Sequence, residues 1–261
     1  MDNQIYQVML GYILTLIIAP IYSYLIGSLN ASIILGLIFK KRDIREQESK
    51  NAGATNMLRV HGKKLGLLTM FLDILKPIIT VSITFLIYKY QLRSPFDFSN
   101  GFNIAILVYF GGLFTILGHC FPIYFGFKGG KGVACYGGLL IVMNPFVALV
   151  GIIIILIILA TKHYMSLASI VAASICAVLV LIPGINYSPY INEDINYFVY
   201  ALNPSIRSTS YLLIYTIPSA GFIILKHKKN IERLILRTEN KTYLSSKLKN
   251  KAEKAEQQIK N

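Results

Sequence analysis

Residues 9–39, MLGYILTLIIAPIYSYLIGSLNASIILGLIF, hold no charged side chain. The run is longer than the roughly 20 apolar residues needed to cross the hydrocarbon core of a bilayer. A second run, 133–161 (VACYGGLLIVMNPFVALVGIIIILIILAT), is equally free of charge. Lipid offers backbone N–H and C=O groups no partners, so a span of this length satisfies them within its own helix. Two such runs in 261 residues decide the fold class: all-α, a polytopic integral membrane protein. Composition agrees. Hydrophobic residues make up 54% of the chain and charged residues 15%, where soluble domains average about 45–50% and 25%. The mean hydropathy is +0.56.

Outward from these runs, seven apolar segments stand out, at approximately 8–39, 65–88, 102–120, 132–143, 145–161, 166–183 and 210–225. The fourth is short for a crossing, and Asn144-Pro145 divides it from the fifth, which suggests a tilted hairpin. The N-terminus has no basic region ahead of its apolar run, and that run exceeds the about 7–15 residues of a secretory h-region; it reads as a retained first span. Lys40, Lys41, Arg42, Arg45, Lys50, Arg59, Lys63 and Lys64 crowd the connection after it. Lys128 and Lys131 follow the third segment, Lys162 the fifth, and a basic run from Lys226 the seventh. The alternate connections hold only Lys89, Arg93 and Arg207, with Asp97, Glu193 and Asp194. The positive-inside rule then makes the first set cytoplasmic, with the N-terminus outside and the C-terminus inside the cell membrane.

The net charge of +14 therefore calls for anionic lipid headgroups as its partner, not nucleic acid. Cys120, Cys135 and Cys176 lie in or beside apolar segments without metal or redox spacing, so no bridge and no metal site is expected. The chain divides into one membrane-embedded domain, 1–240, and a Lys/Glu/Gln-rich cytoplasmic tail, 241–261, expected to be mobile or to lie on the surface.

Three connections carry more chemistry than a linker needs. Arg42–Arg59, RDIREQESKNAGATNMLR, packs Ser49, Asn51, Gly53, Thr55, Asn56 and Arg59 closely together. Small residues, hydrogen-bonding side chains and arginines suit a loop that grips phosphate, although the stretch alone also fits an ordinary basic loop. Gly118–Ala134, GHCFPIYFGFKGGKGVA, sets Gly126, Gly129, Gly130 and Gly132 around Lys128 and Lys131 just before an apolar helix. Converging backbone N–H groups, a helix start and lysines make an anion cradle. It is not a Walker loop, because Phe125 and Gly132 stand where that motif needs Gly and Ser or Thr. His227–Lys241, HKKNIERLILRTENK, places His227 and Asn230 three apart, on one helix face. A histidine there can take a proton near neutral pH, or simply face solvent. Within the second segment, Asp73 and Lys76 read first as a structural pair, since unpaired intramembrane charges are costly.

Together these motifs resemble the acyl-phosphate:glycerol-3-phosphate acyltransferase family of bacterial membranes. The resemblance runs from Gly27-Ser28 through DIRE…SKNAGATNMLR, HGKKLGLLTMFLDILKP, GHCFPIYFGFKGGKGVA and HYMSLASI to HKKNIERL…TEN. It implies seven helices, no metal or organic cofactor, acyl phosphate and glycerol 3-phosphate as substrates, and 1-acyl-glycerol 3-phosphate as product. An enzyme that forms acyl phosphates is the partner such a donor calls for. Carried onto this sequence, it implies Ser49 and Arg59 as phosphate ligands, Gly129–Gly132 with Lys131 as a phosphate cradle, and Ser169 as a further site hydroxyl. It also implies His227 and Asn230 as the third motif's pair and Glu239 as structural. Glu48 and Lys50 replace glycines of the usual GSGN stretch, Asn30 stands where proline is common, and Arg237 replaces a glycine before Thr238-Glu239.

The chemistry is coherent on its own terms. An acyl phosphate is already activated, so the enzyme must hold two anions together and offset their repulsion; positioning alone can supply about 7–11 kcal/mol of the barrier. His227 or the acceptor's own phosphate would take the hydroxyl proton. A thioester-using acyltransferase would show His-x4-Asp, but the fifth residues after His61, His119, His163 and His227 are Gly66, Tyr124, Ala168 and Glu232. An organic-anion transporter would favour internal repeats and a site near the midplane, whereas the polar residues here gather at one face.

Overall fold

The structure, a computed structural model, describes residues 13–91, 109–180 and 213–243, with Tyr6 and Leu10. Among the described residues every regular element is helical. The first charge-free run is not one continuous helix. A π-helical turn, Leu14–Ile18, leads into α1 (Ala19–Ser28); the chain breaks at Leu29-Asn30 and restarts as α2 (Ala31–Lys40). Asn30 makes the break tolerable. Its Oδ1 accepts from the Ile33 N–H at 3.2 Å and the Ser32 hydroxyl at 2.7 Å, and its amide donates to the Ala52 carbonyl. Irregular backbone at membrane depth persists only where protein groups satisfy it in this way.

The remaining helices are α3 (Ala54–His61), α4 (Lys63–Gln91), α5 (Phe110–Cys120), α6 (Val133–Met143), α7 (Pro145–Lys162), α8 (Met165–Leu179), α9 (Leu213–Lys226) and α10 (Lys228–Ile235). The third, sixth and seventh expected segments run partly outside the described residues. Among the described residues, Leu16–Lys40, Lys63–Ile87 and Pro145–Lys162 are long and apolar enough to cross a membrane; Phe110–Phe125, Val133–Met143, Met165–Leu179 and Ile214–Lys226 are apolar but shorter. The expected division between α6 and α7 is present. Asn144 accepts from the Val147 N–H at 3.0 Å and Pro145 opens α7. The connections carrying Arg93, Asp97, Glu193, Asp194 and Arg207 lie outside the described residues, as does the tail from 244 onward.

Burial follows the logic of a membrane protein. Large aliphatics face outward: Leu149, Ile152, Ile153, Leu156 and Ile157 of α7 are all exposed. Small and hydroxyl residues face inward, because helices in lipid associate through close packing and interhelical hydrogen bonds. A Cβ on Gly27 of α1 would lie 2.3 Å from the Thr115 carbonyl oxygen of α5, and one on Gly118 of α5 would lie 2.2 Å from that of Tyr24. Thr80 of α4 bonds Thr115 across the interface at 2.8 Å, and Tyr22 of α1 bonds both the Thr80 carbonyl and the Thr84 hydroxyl. Asp73 and Lys76 form the expected buried pair at 2.8 Å. The three cysteines are free and buried.

Candidate active site

The first loop is built around Asn56. Its Nδ2 donates to the carbonyls of Ile44, Gln47 and Asn51, and its Oδ1 accepts from the Ser49 N–H. Its amide is committed to the backbone, so Asn56 shapes the loop, and it also lines the cavity described below. Glu48 and Lys50 hold φ of 46° and 55° on either side of Ser49, the left-handed region that glycine occupies without strain. Arg45 ties the loop down: it chelates Asp43 at 2.7 Å and donates to the carbonyls of Phe125 and Lys128 in the second loop. The turn then feeds α3, whose first N–H groups have no partner within the helix.

The second loop departs from expectation. The Gly129 N–H donates to the Cys120 carbonyl and the Gly130 N–H to that of His119, so neither is free to cradle an anion. Both glycines answer a packing demand. A Cβ on Gly129 would sit 2.1 Å from the His119 carbonyl oxygen, and one on Gly130 would sit 2.1 Å from His119 Nε2. Lys128 is exposed, away from the cavity described below. The anion-facing part of the loop is therefore Lys131, Gly132 and the first turn of α6. Gly132 caps α6 at φ 83°, which favours glycine, and the open N–H groups that follow carry the positive end of the helix dipole.

The third loop completes the site. His227 caps the start of α10, and its Nδ1 lies 2.7 Å from the Ile223 carbonyl. A carbonyl can only accept, so Nδ1 carries the proton and Nε2 keeps a free lone pair. Lys131 donates to Asn230 Oδ1 at 2.6 Å; Asn230 Nδ2 donates to Glu239, and so does Arg233, each at 2.7 Å. Glu239 thus ties α10 to the segment that follows it. Burial opposes its ionisation, but the bonds from Arg233 and Asn230 outweigh this and lower its pKa. Arg237, in a glycine's place, holds φ 58°. Arg59 reaches across to the Asn240 carbonyl and the Thr242 hydroxyl at 3.1 and 2.6 Å, and the Thr242 N–H bonds the His163 carbonyl. Thr242 and Tyr243, the latter with its ring 4.7 Å from that of His163, thus contact the helical domain although composition assigns 241–261 to a mobile or surface-lying tail.

These groups meet in one cavity of about 480 Å³. Ser49, Asn51, Thr55, Asn56, Arg59, Lys131, Gly132, Ser169, His227, Asn230 and Glu239 all line it, and Asp73 lies on its wall. Ser169 donates its hydroxyl to the Met165 carbonyl at 2.8 Å, leaving its oxygen to accept. Lys76, Lys128, Gly129 and Gly130 do not line it. Sequence reasoning missed Glu48, His119, Ser166, Arg233 and Asn240, which do. Arg233 was within reach, three residues after Asn230 on the same helix face, whereas His119 depends on a contact between distant helices. Its Nδ1 lies 3.4 Å from Asp73. Asp73, His119 and Cys135 bring metal-capable atoms within 4.8 Å of one another, but the Lys76 ammonium already sits where a cation would meet the carboxylate.

Two pKa values set the chemistry. Burial pulls Lys131 down to about 8; Glu239 opposes this, and Arg233, Arg59 and Lys226 add to it. Burial, reinforced by Lys131, pulls His227 down to about 4 against the Ile223 hydrogen bond and Glu239. At neutral pH Lys131 is thus a cation in a cavity that Arg59 and Arg233 also line, and the His227 imidazole is neutral. Its other half is apolar, lined by Met70, Ile74, Ile141, Ile152 and Ile155.

Fold and cavity together define a class: a polytopic membrane protein with one cavity lined by cationic groups and apolar side chains. The glycerol-3-phosphate acyltransferase family model matches residues 17–237. The chain is 59% identical over 242 residues to the glycerol-3-phosphate acyltransferase of Ureaplasma parvum serovar 3, covering 93% of this chain and 94% of that one. It is 36% identical over 226 residues to that of Staphylococcus aureus, covering 87% and 97%. Its structure is similar to the crystal structure of PlsY, an integral membrane glycerol 3-phosphate acyltransferase, in the glycerol 3-phosphate form. The TM-score is 0.65 and the identity 32%, over 86% of this chain and 94% of that one. The lysophosphatidic acid form gives 0.63 and 31%, over 86% and 93%. The chain belongs to the glycerol-3-phosphate acyltransferase family of integral membrane proteins.

Proposed function

We propose that this chain transfers a fatty acyl group from an acyl phosphate to the 1-hydroxyl of sn-glycerol 3-phosphate, giving lysophosphatidic acid and phosphate. The observation that carries the reading is the convergence of Lys131, Arg59 and the open starts of α3 and α6 on a cavity whose other half is apolar. The cationic half suits two phosphate groups and the apolar half suits an acyl chain. The acceptor oxygen bonds to the acyl carbon, the bond from that carbon to the phosphate oxygen breaks, and the hydroxyl proton passes to His227 Nε2 or to a phosphate oxygen. Lys131 and the helix starts stabilise the charge that develops.

The donor follows from the missing His-x4-Asp motif and from a site whose donors suit phosphate. Ser49, Asn51 and Thr55 fall to substrate contacts along the first loop, and Ser169 to the opposite wall. The reading needs no cofactor, and an enzyme that forms acyl phosphates is its natural partner. One domain extending through Tyr243 sits in the cell membrane with its loops on the cytoplasmic side. The test is purified protein offered palmitoyl phosphate, palmitoyl-CoA and palmitoyl-acyl carrier protein separately, with glycerol 3-phosphate and no added metal. Lysophosphatidic acid should form from the first. Transfer from a thioester with none from the phosphate would overturn the donor assignment.

A further inference from the structure

Two adjacent glycines on α6 have opposite surroundings. A Cβ on Gly138 would lie 2.2 Å from the Ile74 carbonyl oxygen and 2.7 Å from Pro77, so this glycine seats α6 against α4. A Cβ on Gly137 would meet nothing within 4 Å. Successive residues on a helix point about 100° apart, so Gly137 turns away from α4 and into the cavity, which it lines. Glycine in a helix interior costs about 1 kcal/mol relative to alanine, and packing does not explain the cost here.

The space it opens has a direction. Gly137 lies five residues beyond Gly132, about 7.5 Å along the helix axis from the cationic end. One turn further on is Ile141. Met70 and Ile74 of α4 flank this stretch on one side, and Ile152 and Ile155 of α7 on the other. Both helices pack on α6, and among the described residues they form no closely packed pair of their own. Met70, Ile141 and Ile152 line the cavity and are also exposed, at 41%, 36% and 50%. Part of the cavity's apolar lining thus belongs to the exposed surface of the helices, and Gly137 lies along α6 between the cationic Gly132 end and Ile141.

We propose that Gly137 keeps open the passage by which the donor's hydrocarbon chain leaves the cationic end of the cavity for the lipid. The residue at 137 then sets how long a chain the enzyme accepts. This rests on the acyl-transfer reading above, though not on which leaving group the donor carries. A side chain at 137 would obstruct chains that reach past it and spare those that end short of it.

The test compares kcat/KM for palmitoyl and butyryl donors in wild type, Gly137→Ala and Gly137→Leu. Gly221→Leu on α9 serves as control, since a Cβ there also meets nothing and the residue lies outside the cavity. The palmitoyl-to-butyryl ratio should fall progressively, by about tenfold or more for leucine, the scale on which an apolar pocket discriminates by bulk. KM for glycerol 3-phosphate should hold. Alanine raises helix propensity, so Gly137→Ala keeps the test open if the leucine variant fails to accumulate. An unchanged ratio in Gly137→Ala and in any leucine variant that accumulates, or an equal fall in Gly221→Leu, overturns the proposal. Running the series with both acyl phosphates and acyl thioesters separates the two readings: wild type active only with thioesters refutes the donor, while the ratio still tests Gly137.

Discussion

With Nδ1–H spent on the Ile223 carbonyl and a pKa near 4, His227 stays neutral throughout the physiological range, its lone pair on Nε2. An unperturbed histidine would titrate near about 6.5, and a base works best with a pKa close to the working pH. Nε2 is therefore better suited to aligning the attacking hydroxyl and receiving its proton late than to ionising it beforehand. Replacing His227 with Ala should lower kcat by about 10²–10⁴-fold with little change in either KM, within the usual span for acid–base groups. Any rate-controlling ionisation near pH 6 should survive in that variant, because it belongs to a substrate phosphate (pKa about 6). Its disappearance would return the ionisation to His227. Lys131 acts in the opposite direction. Below about pH 8 it is a cation; above it, the proton is lost and with it the counter-charge for phosphate. KM for glycerol 3-phosphate should therefore climb as pH rises through about 8. Bound phosphate favours the protonated amine, so kcat should hold to higher pH than kcat/KM. In Lys131→Arg, which remains charged throughout, the alkaline climb in KM should vanish even if the absolute rate falls.

At the scale of elements, the loops separate what sequence can convey from what it cannot. Charge-free runs mark the helices because burial in lipid excludes charge along the whole length of a span. The break at Leu29-Asn30 escapes that signal, since one capped turn barely alters the apolarity of a 31-residue run. Glycines are more ambiguous still. Gly129, Gly130 and Gly132 look alike in sequence, yet only Gly132 needs a positive φ, and the other two yield to the backbone and ring of His119. Gly129→Ala and Gly130→Ala should therefore reduce the amount of folded protein recovered in detergent. Normal accumulation with a raised KM would reinstate an N–H cradle. The Glu48, Lys50 and Arg237 positions run the other way, because the departures from glycine named a conformation that the chain retains. An L residue in the left-handed region costs about 1–2 kcal/mol, and glycine's greater chain entropy returns about 0.5–1 kcal/mol of that. Lys50→Gly and Arg237→Gly should each stabilise the protein by about 0.5–1 kcal/mol, seen as a raised thermal midpoint. A lowered midpoint would mean that their side chains contribute more than the strain they impose.

Across the whole molecule, the basic connections are bonded to one another, which fixes their common side independently of any count of crossings. Arg45 after α2 holds the carbonyls of Phe125 and Lys128 before α6; Lys226 at the end of α9 holds that of Cys120; Arg59 of α3 holds Asn240 and Thr242 beyond α10; and Thr242 holds His163 between α7 and α8. Four connections therefore share one face, and the cationic end of the cavity lies on it. Positive residues are retained on the cytoplasmic side, where anionic headgroups attract them by about 1 kcal/mol per Lys or Arg. Glycerol 3-phosphate, a small anion that does not cross lipid unaided, would meet the cavity there. A reporter active only in the cytoplasm should work when fused after Lys241, and one active only outside should work when inserted near Asn192. Charge reversal gives a second handle. Changing Lys40, Lys41 and Arg42 together to Glu removes three of the retained charges without touching a cavity residue. It should raise the fraction of chains whose Lys241 reporter is silent, with acyltransferase activity falling in proportion. Because the four connections are tied together, a chain inverted at its first span cannot assemble the site, and activity lost without inversion would break the link between charge, orientation and the cavity.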